Sequence, residues 1–600
     1  MIQVDKSEAL HGDIKLPLNR SDIKNAINMG TAKYSTESYE FMSQEIPPQE
    51  GWHQNAGGRF IACSPVVGDV DNDGFPEIVC CNSQGKLYVW NHKGNILSGW
   101  PKNLWTTTPA LADLDNDGDL EIITLGFEDS SGVYIWQHDG TNFSANWPQY
   151  MEYSTYAGAT SSPSIGDING DGDWEIITVF RRYPYTGPLN IAIYVWNLDG
   201  SLINDNWPIE LASGQDFTTY STPCLADVNN DGKLDIIQIT SDTGSPNSFT
   251  IHILNENGNS LSGWPRTFTS GAVAGSPVAG DLNGDGLIEI VVASSGTGTL
   301  YVLDSEGNPF NNNWPYVLIY SLKASAALGD LDEDGDLEII VKRNNHMIYA
   351  FQHDSADLLP GWPQDAGRHH VFVGPNLYSS PIIGDMDGDE APEIIVCGTD
   401  SDASPYPGIY AWHANGSLVD GWPLKVGCDD YTYAYVNATP CGADLDGDGD
   451  IEVIVAGRDG IMYSWDNPGI YNPFKSEWPT FQHDTHHTGK YSFRTNGAGV
   501  ENNFTNLKNN FVLYQNYPNP FNSETSISYS ISKYAKIEIS IYSIRGQKIK
   551  TLLNGYMPEG LYKITWYGND NYANDVSSGV YLYKISSEKY YEIKKCILLK

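Results

Sequence analysis

The sequence is poor in positive charge and in cysteine. Only 34 Lys and Arg stand against 75 Asp and Glu among 600 residues, which gives a formal net charge of −41. Nucleic-acid binders need a basic surface, and anionic lipids attract basic segments. The composition therefore argues against a nucleic-acid-binding protein and against adsorption on an anionic membrane. The eight cysteines include no CxxC pair and are sparse, which disfavours a zinc ribbon and a dense disulfide framework.

Long apolar runs and familiar catalytic motifs are missing as well. No segment approaches about 18 consecutive apolar residues, so no transmembrane segment is predicted. Residues 1–49 contain no apolar stretch typical of a signal peptide. Neither GxSxG, HExxH nor a phosphate-binding P-loop occurs. We expect the densest histidine group (His483, His486 and His487) to lie on the surface or where the chain closes, with a metal or acid–base role as the alternative.

What the sequence does contain is a unit that recurs eight times. Its first half reads SPVVGDVDNDGFPEIV from Ser64; an alternating strand (LYVW, Leu87–Trp90) and a Trp-Pro step follow, and the last such step is at Trp478. Four β segments in roughly 50 residues are typical of a propeller blade. We therefore predict an all-β chain with an eight-bladed β-propeller, or seven blades and one unpaired unit. A ninth signature, Gly51-Trp52-His53, is interpreted as an N-terminal strand that closes the ring.

A change of charge marks a second domain near the end of the chain. Residues 511–600 hold 11 Lys and Arg against 7 Asp and Glu, a charge of +4 in an otherwise acidic protein. Alternating runs such as LYKITW predict antiparallel strands and a small Ig-like β-sandwich. We expect the propeller over residues 51–490, an Asn- and Gly-rich linker over 491–510 and the sandwich over 511–600. Residues 1–50 are interpreted as the end of a missing upstream region, and the alternative is that Met1 is not the true start of the protein.

The acidic loop of each repeat has the spacing of a calcium ligand set. In the first loop, carboxylates stand at positions 1, 3, 5 and 9 (Asp69, Asp71, Asp73 and Glu77), and Phe75 at position 7 offers its carbonyl oxygen. Hard oxygen donors suit Ca²⁺, whereas Zn²⁺ prefers His and Cys. An EF-hand would need Glu at position 12 and flanking helices, but here position 9 leads into a strand. For any single loop, a solvated Asp-Gly turn is the alternative.

The same positions recur in the other seven loops, so up to eight structural Ca²⁺ ions are predicted. Three loops carry Asn at position 3, which removes one negative charge and predicts weaker binding, and the seventh has Glu390 in place of the turn glycine. The remaining predicted ligand positions are Asp113, Asp115, Asp117, Asp119, Glu121, Asp167, Asn169, Asp171, Asp173, Glu175, Asp227, Asn229, Asp231, Lys233, Asp235, Asp281, Asn283, Asp285, Leu287, Glu289, Asp330, Asp332, Asp334, Asp336, Glu338, Asp385, Asp387, Asp389, Ala391, Glu393, Asp444, Asp446, Asp448, Asp450 and Glu452.

These loops resemble a known repeat family. The pattern D-x-[DN]-x-D-G-x-x-[DE], seen for example in residues 69–77, is similar to the FG-GAP/VCBS repeat of integrin α-chain propellers, and the similarity covers about residues 51–478. The resemblance implies a calcium-stabilised extracellular propeller that serves in binding or adhesion. It also leaves room for an enzyme, because some rhamnogalacturonan lyases resemble eight-bladed calcium propellers.

The tail resembles a type IX secretion C-terminal sorting domain. The segments that carry the resemblance are FVLYQNYPNPFN (Phe511–Asn522), IYSIRGQKI (Ile541–Ile549), SSGVYLYKI (Ser577–Ile585) and the terminal KKCILLK. The resemblance implies that residues 511–600 are recognised by the type IX secretion machinery. It implies a protein secreted from, or held on the outer surface of, a Gram-negative bacterium of the Bacteroidetes type.

We expect a partner to bind on the face opposite the calcium loops. Loops from the second to the third strand, and from one blade to the next, share that face, and long aromatic loops concentrate there. The preferred hypothesis is a binding or adhesion module for an extracellular polysaccharide or protein. A polysaccharide-degrading enzyme, or an accessory propeller of a larger secreted hydrolase, is the alternative. The predicted contact residues are Tyr153, Tyr156, Tyr183, Tyr185, Phe217, Tyr220, Phe372, Tyr378, Tyr406, Tyr431 and Tyr433.

Overall fold

The structure is a computed structural model in which every regular element is a β-strand. It describes residues 46–60, 63–126, 131–151, 158–159, 161–182, 188–214, 216–244, 247–269, 271–343, 347–366, 379–389, 391–398, 408–426, 436, 438–470, 478–491, 511–513, 521–522, 525–531, 535–543, 545, 547–557, 560–569, 576–587 and 591–599.

The described part of residues 46–491 contains eight sheets that follow the eight repeats. In each repeat, a three-residue first strand ends at Gly or Ala, the acidic loop follows, and the second strand begins at position 9 or, in the last repeat, two residues before it. The second strand is buried along nearly its whole length, as in EIVCCN (Glu77–Asn82), which explains its continuous apolar pattern. The third strand carries the alternating aromatic residues, and in the first seven repeats the Trp-Pro step leads into the fourth strand.

The strands are listed here in chain order. After β1 (Gln54–Asn55), sheet one holds β2 (Val66–Gly68), β3 (Glu77–Asn82), β4 (Lys86–Trp90) and β5 (Lys102–Asn103). Sheet two holds β6 (Ala110–Ala112), β7 (Glu121–Gly126), β8 (Gly132–Trp136) and β9 (Gln149–Tyr150). Sheet three holds β10 (Gly158–Ala159), β11 (Ser164–Gly166), β12 (Glu175–Arg182), β13 (Asn190–Trp196) and β14 (Ile209–Ser213). Sheet four holds β15 (Phe217–Thr218), β16 (Cys224–Ala226), β17 (Asp235–Asp242), β18 (Ser248–Leu254) and β19 (Arg266–Phe268).

The second half of the repeats follows the same order. Sheet five holds β20 (Val278–Gly280), β21 (Glu289–Ala293), β22 (Thr299–Leu303) and β23 (Tyr316–Val317). Sheet six holds β24 (Ala327–Gly329), β25 (Glu338–Lys342), β26 (Met347–Phe351) and β27 (Gln364–Asp365). Sheet seven holds β28 (Ile382–Gly384), β29 (Glu393–Cys397), β30 (Gly408–Trp412) and β31 (Leu424–Lys425). Sheet eight holds β32 (Cys441–Ala443), β33 (Asp450–Ala456) and β34 (Ile461–Ile470), and β35 (Lys490–Tyr491) follows.

A chain of hydroxyl hydrogen bonds links the first strands of neighbouring sheets. In seven of the eight repeats, the opening Ser or Thr donates its backbone N–H to the hydroxyl of the Ser or Thr that opens the next repeat. The bond from Thr439 N to Ser64 Oγ (3.0 Å) joins sheet eight back to sheet one. The other described bonds are Ser64 to Thr108 (3.1 Å), Ser162 to Thr222 (3.2 Å), Thr222 to Ser276 (2.8 Å), Ser276 to Ser325 (2.9 Å), Ser325 to Ser380 (3.2 Å) and Ser380 to Thr439 (3.1 Å).

The N-terminal side of the propeller-like region completes sheet eight, as interpreted from the sequence. β1 pairs antiparallel with β34, and Trp52 Nε1 donates to the His92 carbonyl (2.8 Å), as Trp100 Nε1 does to His138. Residues just before the predicted boundary at residue 51 also contact sheet eight. The N–H of Gln49 already donates to Ser464 O (3.0 Å), and Pro48 forms a bridge with Trp465.

The eighth Trp-Pro step corrects a second expectation. Trp478 does not lead a fourth strand of sheet eight, because β1 takes that place. Instead, residues 478–491 form a segment, here called the hub segment, that runs along the ring of first strands. The middle N–H of six first strands donates to its carbonyls, for example Leu111 N to Thr485 O (2.9 Å) and Leu225 N to Thr488 O (2.7 Å). The other four donors are Ile165, Ala279, Ile383 and Gly442.

The histidine group lies in this hub segment. His487 is fully buried, and its Nδ1 is 2.9 Å from the Pro163 carbonyl oxygen. Burial lowers the pKa of His487 to about 4. Asp484 accepts hydrogen bonds from the N–H (3.0 Å) and the hydroxyl of Thr488. Tyr491, which was predicted as the first linker residue, is buried and pairs with Gly280, so the packed region extends to it.

Residues 511–599 contain the two sheets of a small β-sandwich in their described part. One sheet has the order β36 (Phe511–Leu513), β37 (Thr525–Ile531) and β40 (Gly560–Trp566). The other has the order β39 (Lys548–Met557), β38 (Ala535–Ser543), β41 (Gly579–Ser586) and β42 (Tyr591–Leu598). One core cluster around Trp566 and Tyr583 belongs to this domain alone. The seven described cysteines of the whole chain are buried free thiols.

Candidate metal centres

Each acidic loop folds around its own carboxylates. In sheet one, Asp69 at position 1 accepts the N–H groups of Asp73 and Gly74 (both 3.0 Å), and Asp73 Oδ1 accepts the N–H of Phe75 (2.9 Å). Gly74 has φ +96°, a conformation that favours glycine. The bond from position 7 to position 5 recurs in the other seven loops, at Asp119, Asp173, Lys233, Leu287, Asp336, Ala391 and Asp450.

The acid at position 9 has one structural oxygen in all eight loops. Glu77 opens β3 and is buried, and its Oε2 accepts the N–H of Val70 at position 2 (3.0 Å). The equivalent bonds are Glu121 to Leu114 (2.8 Å), Glu175 to Ile168 (3.0 Å), Asp235 to Val228 (3.0 Å), Glu289 to Leu282 (2.9 Å), Glu338 to Leu331 (2.8 Å), Glu393 to Met386 (2.7 Å) and Glu452 to Leu445.

The second carboxylate oxygen of the position 9 acid indicates whether the loop can hold a cation. The Oε1 atoms of Glu77, Glu121 and Glu452 are buried without a hydrogen-bond partner. A buried carboxylate oxygen without a partner is costly, and a cation between the carboxylates would satisfy it. In the loops of sheets one, two, six and eight, at least three ligand atoms of the same loop lie within 4.8 Å of one another. The donors are hard oxygens, so the residues at positions 1, 3, 5 and 9 fit Ca²⁺.

Burial and mutual repulsion shift the protonation of these carboxylates. Burial raises the pKa of Glu77 to about 8, with a smaller contribution from Asp71 that the Val70 hydrogen bond opposes. The same causes act in every loop. They raise the pKa to about 8 for Glu121 and Glu175, to about 7 for Asp235 and Glu289, and to about 9 for Glu338, Glu393 and Glu452.

The three loops with Asn at position 3 differ in their internal bonds. Asn169 Nδ2 donates to Asp171 Oδ2 (3.0 Å) and to Glu175 Oε1 (3.1 Å). The amide groups of Asn229 and Asn283 donate to the position 5 acids of their own loops, at 2.9 and 3.1 Å. An amide N–H thus partly satisfies carboxylates that have no such donor in the all-Asp loops. Weaker calcium binding at these three loops stays a prediction.

Sequence reasoning missed a histidine at the loop of sheet seven. His413 Nδ1 is 2.9 Å from Glu393 Oε1, and His413 Nε2 is 3.8 Å from Asp387 Oδ2. Glu390 itself lies outside the described residues. The signal was available, since the residue that follows the xYxW-type segment of the third strand, aromatic or leucine at its end, is Asn, Gln or Asp in the other seven repeats and His413 only here.

The predicted contact aromatics lie mostly outside the described residues. Of the eleven, only Phe217 and Tyr220 are described. Both are half-buried, and Phe217 packs against a core cluster. The remaining nine, Tyr153, Tyr156, Tyr183, Tyr185, Phe372, Tyr378, Tyr406, Tyr431 and Tyr433, stay predictions.

Other aromatic side chains are exposed on the same type of loop. Trp105 (38% exposed) follows β5 and packs beside Gly85, in the turn between the second and third strands. Tyr320 (55% exposed) follows β23, and the Arg343 guanidinium lies 3.9 Å from its ring centroid. Tyr150, at the end of β9, is 62% exposed. Trp105 could have been found in the sequence, because it lies neither in a third strand nor before a proline.

The fold and the loops define an all-β, propeller-like repeat protein with acidic loops of the calcium-ligand type and a β-sandwich tail. The FG-GAP-like repeat family matches residues 69–124, 113–178, 227–292, 281–341 and 385–455. The secretion system C-terminal sorting domain family matches residues 515–599. The chain therefore contains FG-GAP-like repeats and carries a secretion system C-terminal sorting domain.

The sorting domain also shows where the protein works. It is a secreted or surface protein of a Bacteroidetes-type bacterium, and its tail engages the type IX secretion system. In the part of the chain that the structure describes, no helix has the length and apolar character needed to cross a bilayer.

Solved structures with a similar arrangement are remote in sequence. Sqt1 of Saccharomyces cerevisiae is 11% identical, with 71% of this chain and all of that chain covered and a TM-score of 0.43. The quinohemoprotein alcohol dehydrogenase of Comamonas testosteroni is 11% identical, with coverage of 71% and 77% and a TM-score of 0.45. BamB of Moraxella catarrhalis is 13% identical, with coverage of 70% and 99% and a TM-score of 0.41. No curated protein matches the sequence.

Proposed function

We propose that this protein is a secreted, calcium-stabilised, eight-bladed β-propeller that acts as a binding or adhesion module. The observation that carries the proposal is that the acidic loops and the exposed aromatic side chains lie at opposite ends of the sheets. The acidic loops all connect first to second strands at one end. Exposed aromatic side chains stand on connections at the other end.

Contacts between loops support this assignment of ends. His138, in the turn after the third strand of sheet two, has Nδ1 2.7 Å from Asp119 Oδ2 in the acidic loop. At the opposite end, the Leu104 N–H donates to Gly85 O (2.7 Å), and Leu318 N–H donates to Gly298 O (2.8 Å). Turns between the second and third strands therefore meet the connections that lead to the next sheet, and Trp105 and Tyr320 stand beside those turns.

Eight blades are inferred from the first strands. Seven hydroxyl bonds link the opening Ser or Thr of successive repeats, and one of them returns from Thr439 to Ser64, which supports a ring of eight without an unpaired unit. The pairing of β1 with the edge of β34 builds sheet eight from both ends of the propeller region, which supports a closed ring.

We propose that Ca²⁺ at the acidic end holds this ring and leaves the aromatic end to bind a partner. Planar rings stack on sugars without needing an opposite charge, which suits an acidic protein. A polysaccharide of the extracellular matrix is thus the preferred partner, and a protein surface is the other candidate. Tyr153, Tyr156, Tyr431 and Tyr433 are proposed to add to the same surface.

The test is binding to defined polysaccharides. The full chain is run in native gels that contain dextran, mannan or xylan, with millimolar Ca²⁺ present. Trp105→Ala and Tyr320→Ala are each expected to weaken retention by the polysaccharide that binds, with a loss of about 1–3 kcal/mol for a contact that dominates binding.

Leu287→Ala is the matched control. Leu287 is 49% exposed but lies at position 7 of an acidic loop, so its removal is expected to leave retention unchanged. Equal weakening by all three substitutions, or no effect of Trp105→Ala and Tyr320→Ala on a verified ligand, would show that the partner does not use the aromatic end.

A further inference from the structure

We propose that the acidic loop of sheet seven binds a first-row transition-metal ion of the Zn²⁺ class, with His413 as the nitrogen ligand. His413 follows Trp412, the last residue of β30, and reaches the loop between β28 and β29. Asp387, Asp389 and His413 each bring a ligand atom within 4.8 Å of the other two. The proposal concerns the metal at one loop and is independent of the partner bound at the aromatic end.

The hydrogen bonds of His413 indicate which ring nitrogen would ligate the metal. Glu393 is fully buried, and its Oε2 is engaged by the Met386 N–H (2.7 Å). Its Oε1 is 2.9 Å from His413 Nδ1, so this ring nitrogen is engaged by the Glu393 carboxyl group. Nε2 is the ring nitrogen that faces the loop, with Asp387 Oδ2 3.8 Å away. A carboxylate that accepts one ring N–H while the other ring nitrogen ligates is a recurring arrangement in metal sites.

The two acidic ligands are held by the loop itself. Asp389 Oδ1 accepts the N–H of Ala391 (2.9 Å), and Asp387 Oδ1 accepts the N–H of Asp389 (3.3 Å). Each carboxylate therefore has one oxygen fixed by the backbone, and the second oxygen of Asp387 faces the imidazole. The site thus offers one nitrogen and two oxygens.

This donor set differs from that of the calcium loops. Ca²⁺ takes six to eight oxygen ligands, whereas imidazole nitrogen combined with carboxylate suits Zn²⁺ and its first-row neighbours. The seventh loop also has Glu390 where the other loops have the turn glycine. In sheets one and eight, the oxygen that matches Glu393 Oε1 has no partner, so the imidazole contact is a specific addition.

Histidines near other loops do not reproduce the arrangement. His138 and His353 approach the position 7 acids Asp119 and Asp336, at 2.7 and 3.8 Å, and not the acid at position 9. His92 stacks on Phe75 with the ring centroids 4.4 Å apart. Asn91 and Asn255, which hold the place of His413 in their repeats, accept N–H groups of their own turns.

The test uses the full chain, stripped of metal and then supplied with millimolar Ca²⁺. Zn²⁺ is titrated into this sample, and calorimetry measures the binding. We expect the wild type to bind one more Zn²⁺ per chain than His413→Asn, a substitution that installs the residue found in sheets one, three and four. We also expect Asp387→Asn to weaken this site by about tenfold or more. With Co²⁺ as a spectroscopic probe, the visible absorption of the wild-type complex is expected to be lost in His413→Asn.

His92→Asn is the matched control and should bind Zn²⁺ like the wild type. Thermal melting in Ca²⁺ without Zn²⁺ shows whether each variant folds. The same melts, compared with melts in EDTA, would reveal a failure of calcium stabilisation separately from a failure of Zn²⁺ binding. Should His413→Asn not fold, the Co²⁺ spectrum of the wild type and the Asp387→Asn titration decide. An unchanged Zn²⁺ stoichiometry in His413→Asn, displacement of all Zn²⁺ by millimolar Ca²⁺, or a Co²⁺ spectrum without an imidazole ligand would overturn the proposal.

Discussion

At the scale of single residues, the acid at position 9 differs from a solvated surface acid in two ways. One oxygen fixes the loop by accepting the N–H at position 2, and the carboxylate is buried at the start of the second strand. In the metal-free chain, burial makes ionisation of this group expensive and raises its pKa well above the usual value of 4.5. A divalent cation removes that penalty by pairing with the ionised form.

This leads to a pH dependence in the metal-free protein. The folded chain keeps position 9 protons up to pKa values of about 7 to 9, while the unfolded chain releases them near 4.5 for Glu and near 3.8 for Asp235. The folded state then binds more protons than the unfolded state, so stability falls as the pH rises from about 5 to about 9. We expect the melting temperature in EDTA to fall over this range, and the increase produced by millimolar Ca²⁺ to grow with pH.

Glu121→Gln isolates one loop. The amide keeps an acceptor for the Leu114 N–H but carries no charge, so the variant should lose less stability than the wild type between pH 5 and 9 in EDTA. In Ca²⁺ at pH 8 it should melt below the wild type. Glu306→Gln, at an exposed position, is the control and should follow the wild type in both conditions. Melting curves that are independent of pH and Ca²⁺ would refute this account.

At the scale of elements, the repeat pattern made most strands predictable. The buried second strand and the alternating third strand have distinct apolar patterns, as EIVCCN and LYVW show in the first repeat. The placement of Trp478 was not predictable in the same way. Its Trp-Pro step is identical in sequence to seven others, but the strand position beside β34 is already taken by β1, so the hub segment packs along the first strands.

The hub segment is expected to contribute measurably to stability. Burial alone would raise the pKa of Asp484, but hydrogen bonding from His483 and Thr488 and the nearby charge of His486 lower it. Asp484→Ala leaves the Thr488 N–H and hydroxyl without this acceptor, and the loss of hydrogen bonds at this half-buried position costs about 0.5–1.5 kcal/mol. We expect a lower urea midpoint for the variant, whereas Asp420→Ala, at an exposed position, should leave it unchanged. Equal urea midpoints for both variants would mean that the Asp484 contacts of the hub segment contribute nothing measurable to the free energy of unfolding.

At the scale of the whole molecule, the sequence predicted the all-β class, the repeats and the two domains, because each rests on a periodic or compositional signal. The domain ends were less predictable. Gln49 and Tyr491 carry no repeat signature, and only their pairing with Ser464 and Gly280 shows that they belong to the packed region. The candidate site at sheet seven depends on a contact between β29 and the turn after β30, which spacing along the chain does not show.

The last prediction separates the two domains. The sandwich has its own core around Trp566, and among the described residues Tyr491 is the last that pairs with a first strand. A chain shortened to residues 1–491 is therefore expected to melt at the same temperature as the full chain in Ca²⁺. A chain shortened to residues 1–477 lacks the hub segment and should melt lower or aggregate, since six first strands lose a hydrogen-bond partner.

In a type IX-competent host, with that host's own periplasmic leader, the full chain should reach the medium or cell surface. The 1–491 chain should remain in the periplasm because the sorting domain is missing. Fractionation and immunoblotting measure the outcome, and export of the 1–491 chain at the level of the full chain would show that another part of the protein carries the signal.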